Sequence, residues 1–114
     1  MAYSETLMDI ETLIKKQIAD NSVILYMKVT PQFPQCGFSA RTVEALTQVG
    51  EPFAYVNILE NPEIRSTLPR IANWPTFPQL WVKGELIGGC DIVMDMVQKG
   101  ELAPLIKEAV VKAE

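Results

Sequence analysis

One cysteine stands at position 36 in the run K-V-T-P-Q-F-P-Q-C-G-F-S-A, residues 28–40. Three residues on, where a dithiol would carry its second sulfur, the chain has Ser39. The thiolate is the reactive and metal-binding form of cysteine. It is favoured at a helix N-terminus, where unbonded N–H groups and the helix dipole attract negative charge. Lys28, ahead of the loop, offers a full positive charge to the same thiolate. In this reading Cys36 is a reactive thiol; in the blander one it is a small buried apolar side chain, as free cysteines often are. Pro31, Pro34 and Gly37 around it favour a surface loop.

Two further stretches have the chemistry of a ligand site. In Thr76-Phe77-Pro78, either Pro78 is trans and simply opens a strand, or the Phe77–Pro78 bond is cis. A cis bond would turn the Phe77 backbone outward, where its N–H and C=O can pair with an extended peptide. In Gly88-Gly89-Cys90-Asp91, two glycines ahead of a helix leave N–H groups for a carboxylate, and Asp91 can accept an ammonium group beside it. An amino-acid head group carries both charges. The alternative is a glycine-rich turn with Asp91 as an ordinary N-cap. Lys28 and Arg65 either bind a second carboxylate or are solvated charges.

The whole chain narrows these options. It contains no histidine, which removes Ser-His and Cys-His hydrolase arrangements and the usual zinc sites, so thiol chemistry is the main possibility. Cys36 and Cys90 are the only cysteines, too few for a secreted disulfide scaffold, and a reducing compartment fits them best. With 10 basic and 14 acidic residues the net charge is −4, which repels polyphosphate and makes nucleic acid a poor partner. The first residues are acidic and no apolar run approaches ~18 residues, so a soluble, mature chain without a membrane span is expected. At 114 residues it is expected to form one domain, residues 1–114, around one core.

The elements that must position these residues follow from periodicity. Leu7, Ile10, Ile14 and Ile18 mark an amphipathic helix over 5–20, and S-V-I-L-Y-M-K, residues 22–28, reads as a buried strand. A helix with Val43, Leu46 and Val49 follows Cys36 and closes at Gly50, and 53–58 reads as a second strand. Asn61 and Pro62 are placed as N-cap and first residue of a helix carrying Ile64, Leu68 and Ile71, which Pro69 should shorten or bend. A hairpin of F-P-Q-L-W-V and L-I-G-G with a glycine-containing turn at Lys83-Gly84-Glu85 comes next, then two terminal helices separated by Gly100. A βαβ unit followed by a ββα unit predicts an α/β fold whose four-stranded mixed sheet is flanked by helices, most simply the thioredoxin-like arrangement.

With these residues in place the chain resembles a monothiol glutaredoxin of the single-domain C-G-F-S type, in particular the bacterial glutaredoxin 4 group. The likeness rests on Lys28, Cys36-Gly37-Phe38-Ser39, the run Trp74 to Trp81 and Gly88-Gly89-Cys90-Asp91, in order and at family-like spacing, across about residues 4 to 110. One departure is Val29, where the family commonly has glycine; valine does not readily take positive φ, so the loop geometry before Cys36 is expected to differ locally.

The resemblance implies a glutathione site and a 2Fe-2S cluster bridging a homodimer, with Cys36 as catalytic residue and the protein's cluster ligand. Two Cys36 thiolates and two glutathione thiolates would complete four sulfur ligands. It places Lys28 and Arg65 near the glycyl carboxylate of glutathione, the Phe77 backbone at the cysteinyl part, and Cys90 and Asp91 at the γ-glutamyl end. The implied role is cytoplasmic iron-sulfur cluster assembly and transfer to apo iron-sulfur proteins, with a BolA-type protein as a further partner. The alternatives are a glutathione-dependent oxidoreductase that removes glutathione from proteins through Cys36, and a redox- or iron-sensing module. A Cys36–Cys90 disulfide stays open at this point.

Overall fold

The computed structural model describes residues 9–28 and 37–113. Within them the order is α1 (Ile10–Asp20), β1 (Val23–Met27), α2 (Gly37–Val49), β2 (Ala54–Asn57), α3 (Pro62–Ala72), β3 (Gln79–Val82), β4 (Glu85–Gly88), α4 (Cys90–Gln98) and α5 (Leu102–Ala113). The four strands form one sheet in the order β2-β1-β3-β4. β2 runs parallel to β1, while β3 is antiparallel to both β1 and β4. This is the mixed sheet the element order predicts.

β1 lies inside the sheet between β2 and β3, and all five of its residues are buried. Side chains alternate across a strand, so its apolar run feeds two cores. Val23, Leu25 and Met27 pack with Leu46, Val93, Leu102 and Ile106 on the face covered by α2, α4 and α5. Ile24 and Tyr26 pack with Ile14, Ile18, Ile58, Ile64 and Leu68 on the face covered by α1 and α3. The result is a sheet between two helical layers.

Local chemistry sets the ends of these elements. Asp9 caps α1 by accepting from the Glu11 N–H at 3.2 Å. The β3–β4 turn uses Lys83 at φ 51° and Gly84 at φ 81°, the two positive angles that match a tight turn to the twist of its strands. α3 runs through Pro69 to Ala72, so the proline does not end it. Its end is instead Asn73 in the left-handed conformation, with φ 52°. Asn61 holds the N-cap position and Pro62 the first turn, but the Asn61 side chain makes no cap bond. Its amide donates to the Asn57 carbonyl at 2.9 Å, which fastens the β2–α3 connection instead.

Candidate functional site

The C-terminal end of β1, the start of α2, the segment 74–78 and the start of α4 meet around a cleft of about 560 Å³. Lys28, Phe77, Cys90 and Asp91 all line it. Residues 49 or more positions apart in sequence, as Lys28 and Phe77 are, reach one site because β1 and β3 are adjacent strands. Arg65 stands exposed on α3 and is not among the lining residues. Cys36, with Val29, lies outside the described residues; α2 begins at Gly37, the residue that follows it.

The β1 end is tied to α2 by a hydrogen bond. The Lys28 N–H donates to the Ser39 hydroxyl at 3.0 Å, and Ser39 is fully buried. The next turn of α2 is braced by the Thr42 hydroxyl, which donates to the Phe38 carbonyl at 2.9 Å. Phe38 itself is 61% exposed at the cleft. A large exposed aromatic ring in the cleft lining leaves apolar surface for whatever seats there.

The opposite wall is the start of α4. Gly89 is its N-cap, Cys90 its first residue, and Asp91 lies in the first turn, exposed, so Asp91 is not the cap. The Val93 N–H bonds the Gly89 carbonyl at 3.1 Å. The N–H groups of Cys90, Asp91 and Ile92, one turn earlier, have no helical carbonyl to bond. The Cys90 thiol is buried and unbridged. A helix N-terminus and a carboxylate side by side have the chemistry to hold a zwitterion, the N–H groups for a carboxylate and Asp91 for an ammonium.

Between these walls runs the segment Trp74-Pro75-Thr76-Phe77-Pro78, every residue of which lines the cleft. The Phe77–Pro78 bond is cis. Among the described residues the Phe77 N–H and C=O have no partner outside regular elements. The segment approaches α4 closely: a methyl group on Gly89 would lie 3.2 Å from the Pro78 carbonyl oxygen and 3.7 Å from Trp74 Nε1. Trp74 Nε1 is buried without a hydrogen-bond partner. Sequence reading assigned a ligand role to Phe77 alone in this segment. The signal for the rest was the clustering of Trp74, Pro75 and Pro78, which stiffens the backbone and supplies flat apolar walls.

The glutaredoxin family model matches residues 23–87, from β1 into β4. Glutaredoxin 4 of Haemophilus ducreyi is 66% identical over 99 residues, which cover 87% of this chain and 92% of that protein. The chain belongs to the glutaredoxin family. Among solved structures, reduced poplar apo GrxS14 superposes on this glutaredoxin with a TM-score of 0.74 at 43% identity, over 90% of this chain and 94% of that one. A buckwheat glutaredoxin-glutathione complex, 23% identical, shares the fold with a TM-score of 0.72 over 85% of this chain and 86% of its own. The thioredoxin-like glutaredoxin fold expected from the order of elements is therefore the one adopted.

Proposed function

We propose that this glutaredoxin binds glutathione in the cleft and, as a pair of chains, carries a 2Fe-2S cluster that it passes to apo iron-sulfur proteins. The observation that carries the reading is the convergence of Lys28, Phe77, Cys90 and Asp91 on one cleft. Glutathione has two carboxylates, one ammonium group and a peptide-like middle. The start of α4 and Asp91 take the γ-glutamyl head group, the Phe77 backbone pairs with the cysteinyl part as an added strand would, and Lys28 draws the glycyl carboxylate, with Arg65, outside the lining, as the further cation the resemblance implies. A glutathione complex of a protein of the same fold supports glutathione as the ligand.

The donor set fits a shared cluster as cargo. The resemblance makes Cys36 the sulfur each chain contributes, while Cys90 is the buried first residue of α4, and thiolates are the ordinary ligands of such clusters. Two Cys36 thiolates and two glutathione thiolates make four. Ser39, buried and bonded to Lys28, holds the place of a resolving thiol, so Cys36 stays free for exchange. The chain works as one domain, in the cytoplasm, with a BolA-type protein as an alternative second partner in place of its own copy. Among the described residues no helix is long and apolar enough to cross a membrane.

Anaerobic reconstitution with iron and sulfide, with and without glutathione, tests the reading through visible absorbance and size exclusion. A coloured dimer that needs glutathione is expected; Cys36→Ser abolishes it and Cys90→Ser retains it. A colourless monomer in the presence of glutathione contradicts cluster carriage. Rapid turnover of a small glutathione mixed disulfide by the apo-protein instead puts the oxidoreductase role first, in which the Cys36 thiolate attacks the glutathionyl sulfur and expels the other thiol. A glutathione thiolate then attacks the Cys36–glutathione disulfide, leaving as glutathione disulfide and restoring the Cys36 thiolate.

A further inference from the structure

Gln79, the first residue of β3, is completely buried and lies behind the cleft rather than in its lining. Its side-chain amide is fully engaged. Nε2 donates to the Trp74 carbonyl at 3.1 Å and to the Thr76 carbonyl at 3.3 Å, while Oε1 accepts from Trp81 Nε1 at 3.1 Å. An indole N–H is only a donor, so Trp81 fixes which end of the amide is oxygen. The NH₂ group must then face the two loop carbonyls.

The segment it faces has few other ties. Pro75 and Pro78 have no N–H to give, and the segment's backbone bond outside regular elements, among the described residues, is the Trp74 N–H to the Pro69 carbonyl at 3.1 Å. That bond fixes only the segment's first residue. The Gln79 amide reaches the next turn, at Thr76, the residue before Phe77. On its other side the segment abuts Gly89, where a methyl group would come within 3.2 Å of the Pro78 carbonyl oxygen, so the segment and the start of α4 are closely spaced walls of the cleft.

We propose that Gln79 is a positioning residue: oriented by Trp81, its amide holds the Trp74–Pro78 segment in the shape that presents the Phe77 backbone to a thiol peptide. The proposal rests on the glutathione reading for its ligand but not for its geometry. Loss of both donors in a buried brace is expected to weaken glutathione binding about tenfold, whereas loss of the orienting indole alone, which leaves both donors, costs about threefold.

The test compares the full chain with Gln79→Met, which keeps volume without hydrogen bonds, and with Trp81→Phe. Glutathione titration calorimetry is paired with ¹⁵N–¹H spectra of the Thr76 and Phe77 amides and of the two indole N–H groups. In Gln79→Met, weakened binding with displaced Thr76, Phe77 and Trp81 indole signals, and unmoved signals in α1 and β2, is expected. Binding within twofold of the parent chain, or weakened binding without displaced loop amides, overturns the proposal. If Gln79→Met does not fold, Trp81→Phe decides, and unmoved Thr76 and Phe77 amides overturn it. If the parent chain itself fails to bind glutathione, the glutathione reading falls, while the loop amides still decide whether Gln79 positions the segment.

Discussion

The Lys28 N–H and the Ser39 hydroxyl meet at 3.0 Å and join the end of β1 to the first turn of α2. Ser39 is buried, and removing its oxygen strands an N–H beside the site. Ser39→Ala is expected to lower stability by about 1–2 kcal/mol, the cost of an unsatisfied backbone donor. Urea denaturation measures this, and an unchanged midpoint would show that the bond contributes nothing. The same burial shields a sulfur at this position, so in Ser39→Cys the new thiol resists alkylation while the chain is folded.

The close approach of α4 to the 74–78 segment gives a second expectation. Gly89→Ala places a methyl 3.2 Å from the Pro78 carbonyl oxygen, tighter than an ordinary van der Waals contact, and backbone must move to accept it. A loss of about 1 kcal/mol of stability is expected, with glutathione affinity reduced about fivefold as the two walls separate. Thermal unfolding and calorimetry report the two effects. An affinity equal to that of the parent chain would mean that the spacing of these walls does not shape the ligand site.

Asp91 is exposed in the first turn of α4, and exposure limits what its charge can contribute. Exposed ion pairs are worth less than about 1 kcal/mol, so Asp91→Asn is expected to weaken glutathione binding no more than about fivefold. Raising the salt concentration should narrow the difference, because such pairs are screened. A loss of a hundredfold would show that the group is enclosed by the ligand far more completely than the open helix start implies.

Tyr26 supplies the pH prediction. Its ring is fully buried, its hydroxyl donates to Gln17 Oε1 at 2.9 Å, and burial raises its pKa well above the usual phenol value. The folded chain therefore keeps a proton that the unfolded chain releases near pH 10, so stability is full below that pH and falls as pH rises above it, by at most about 1.4 kcal/mol per unit. Tyr26→Phe is less stable near neutrality through its lost hydrogen bond, but its stability declines less between pH 10 and 12. Parallel declines in the two proteins would rule out Tyr26 as the source.

Apolar periodicity made much of this fold readable. The unbroken run in β1 signals burial on both faces, and the Lys83-Gly84 turn between two strand-like runs signals the hairpin. Three of the four residues carried to the cleft, Lys28, Cys90 and Asp91, stand at element ends, where charge and free N–H groups leave a mark in sequence. Buried polar residues leave no such mark. The burial of Ser39 and Gln79 is not marked in sequence, since their hydrogen bonds to the Lys28 N–H and to the carbonyls of Trp74 and Thr76 follow from the fold and not from any periodicity. Asn61 stands at the N-cap position its residue type suggests, but its amide goes to the Asn57 carbonyl rather than to a cap bond, a partner that sequence does not reveal. The helix carrying Ile64, Leu68 and Ile71 includes Pro69 and ends at Ala72.

Native mass spectrometry of the anaerobically reconstituted protein tests most directly the claim that glutathione brings the missing sulfur to a cluster held by Cys36. The predicted species contains two chains, one 2Fe-2S cluster and two glutathiones, and it loses cluster and glutathione together on collision. A cluster-bearing dimer with no glutathione, or a cluster retained in full by Cys36→Ser, would contradict the account.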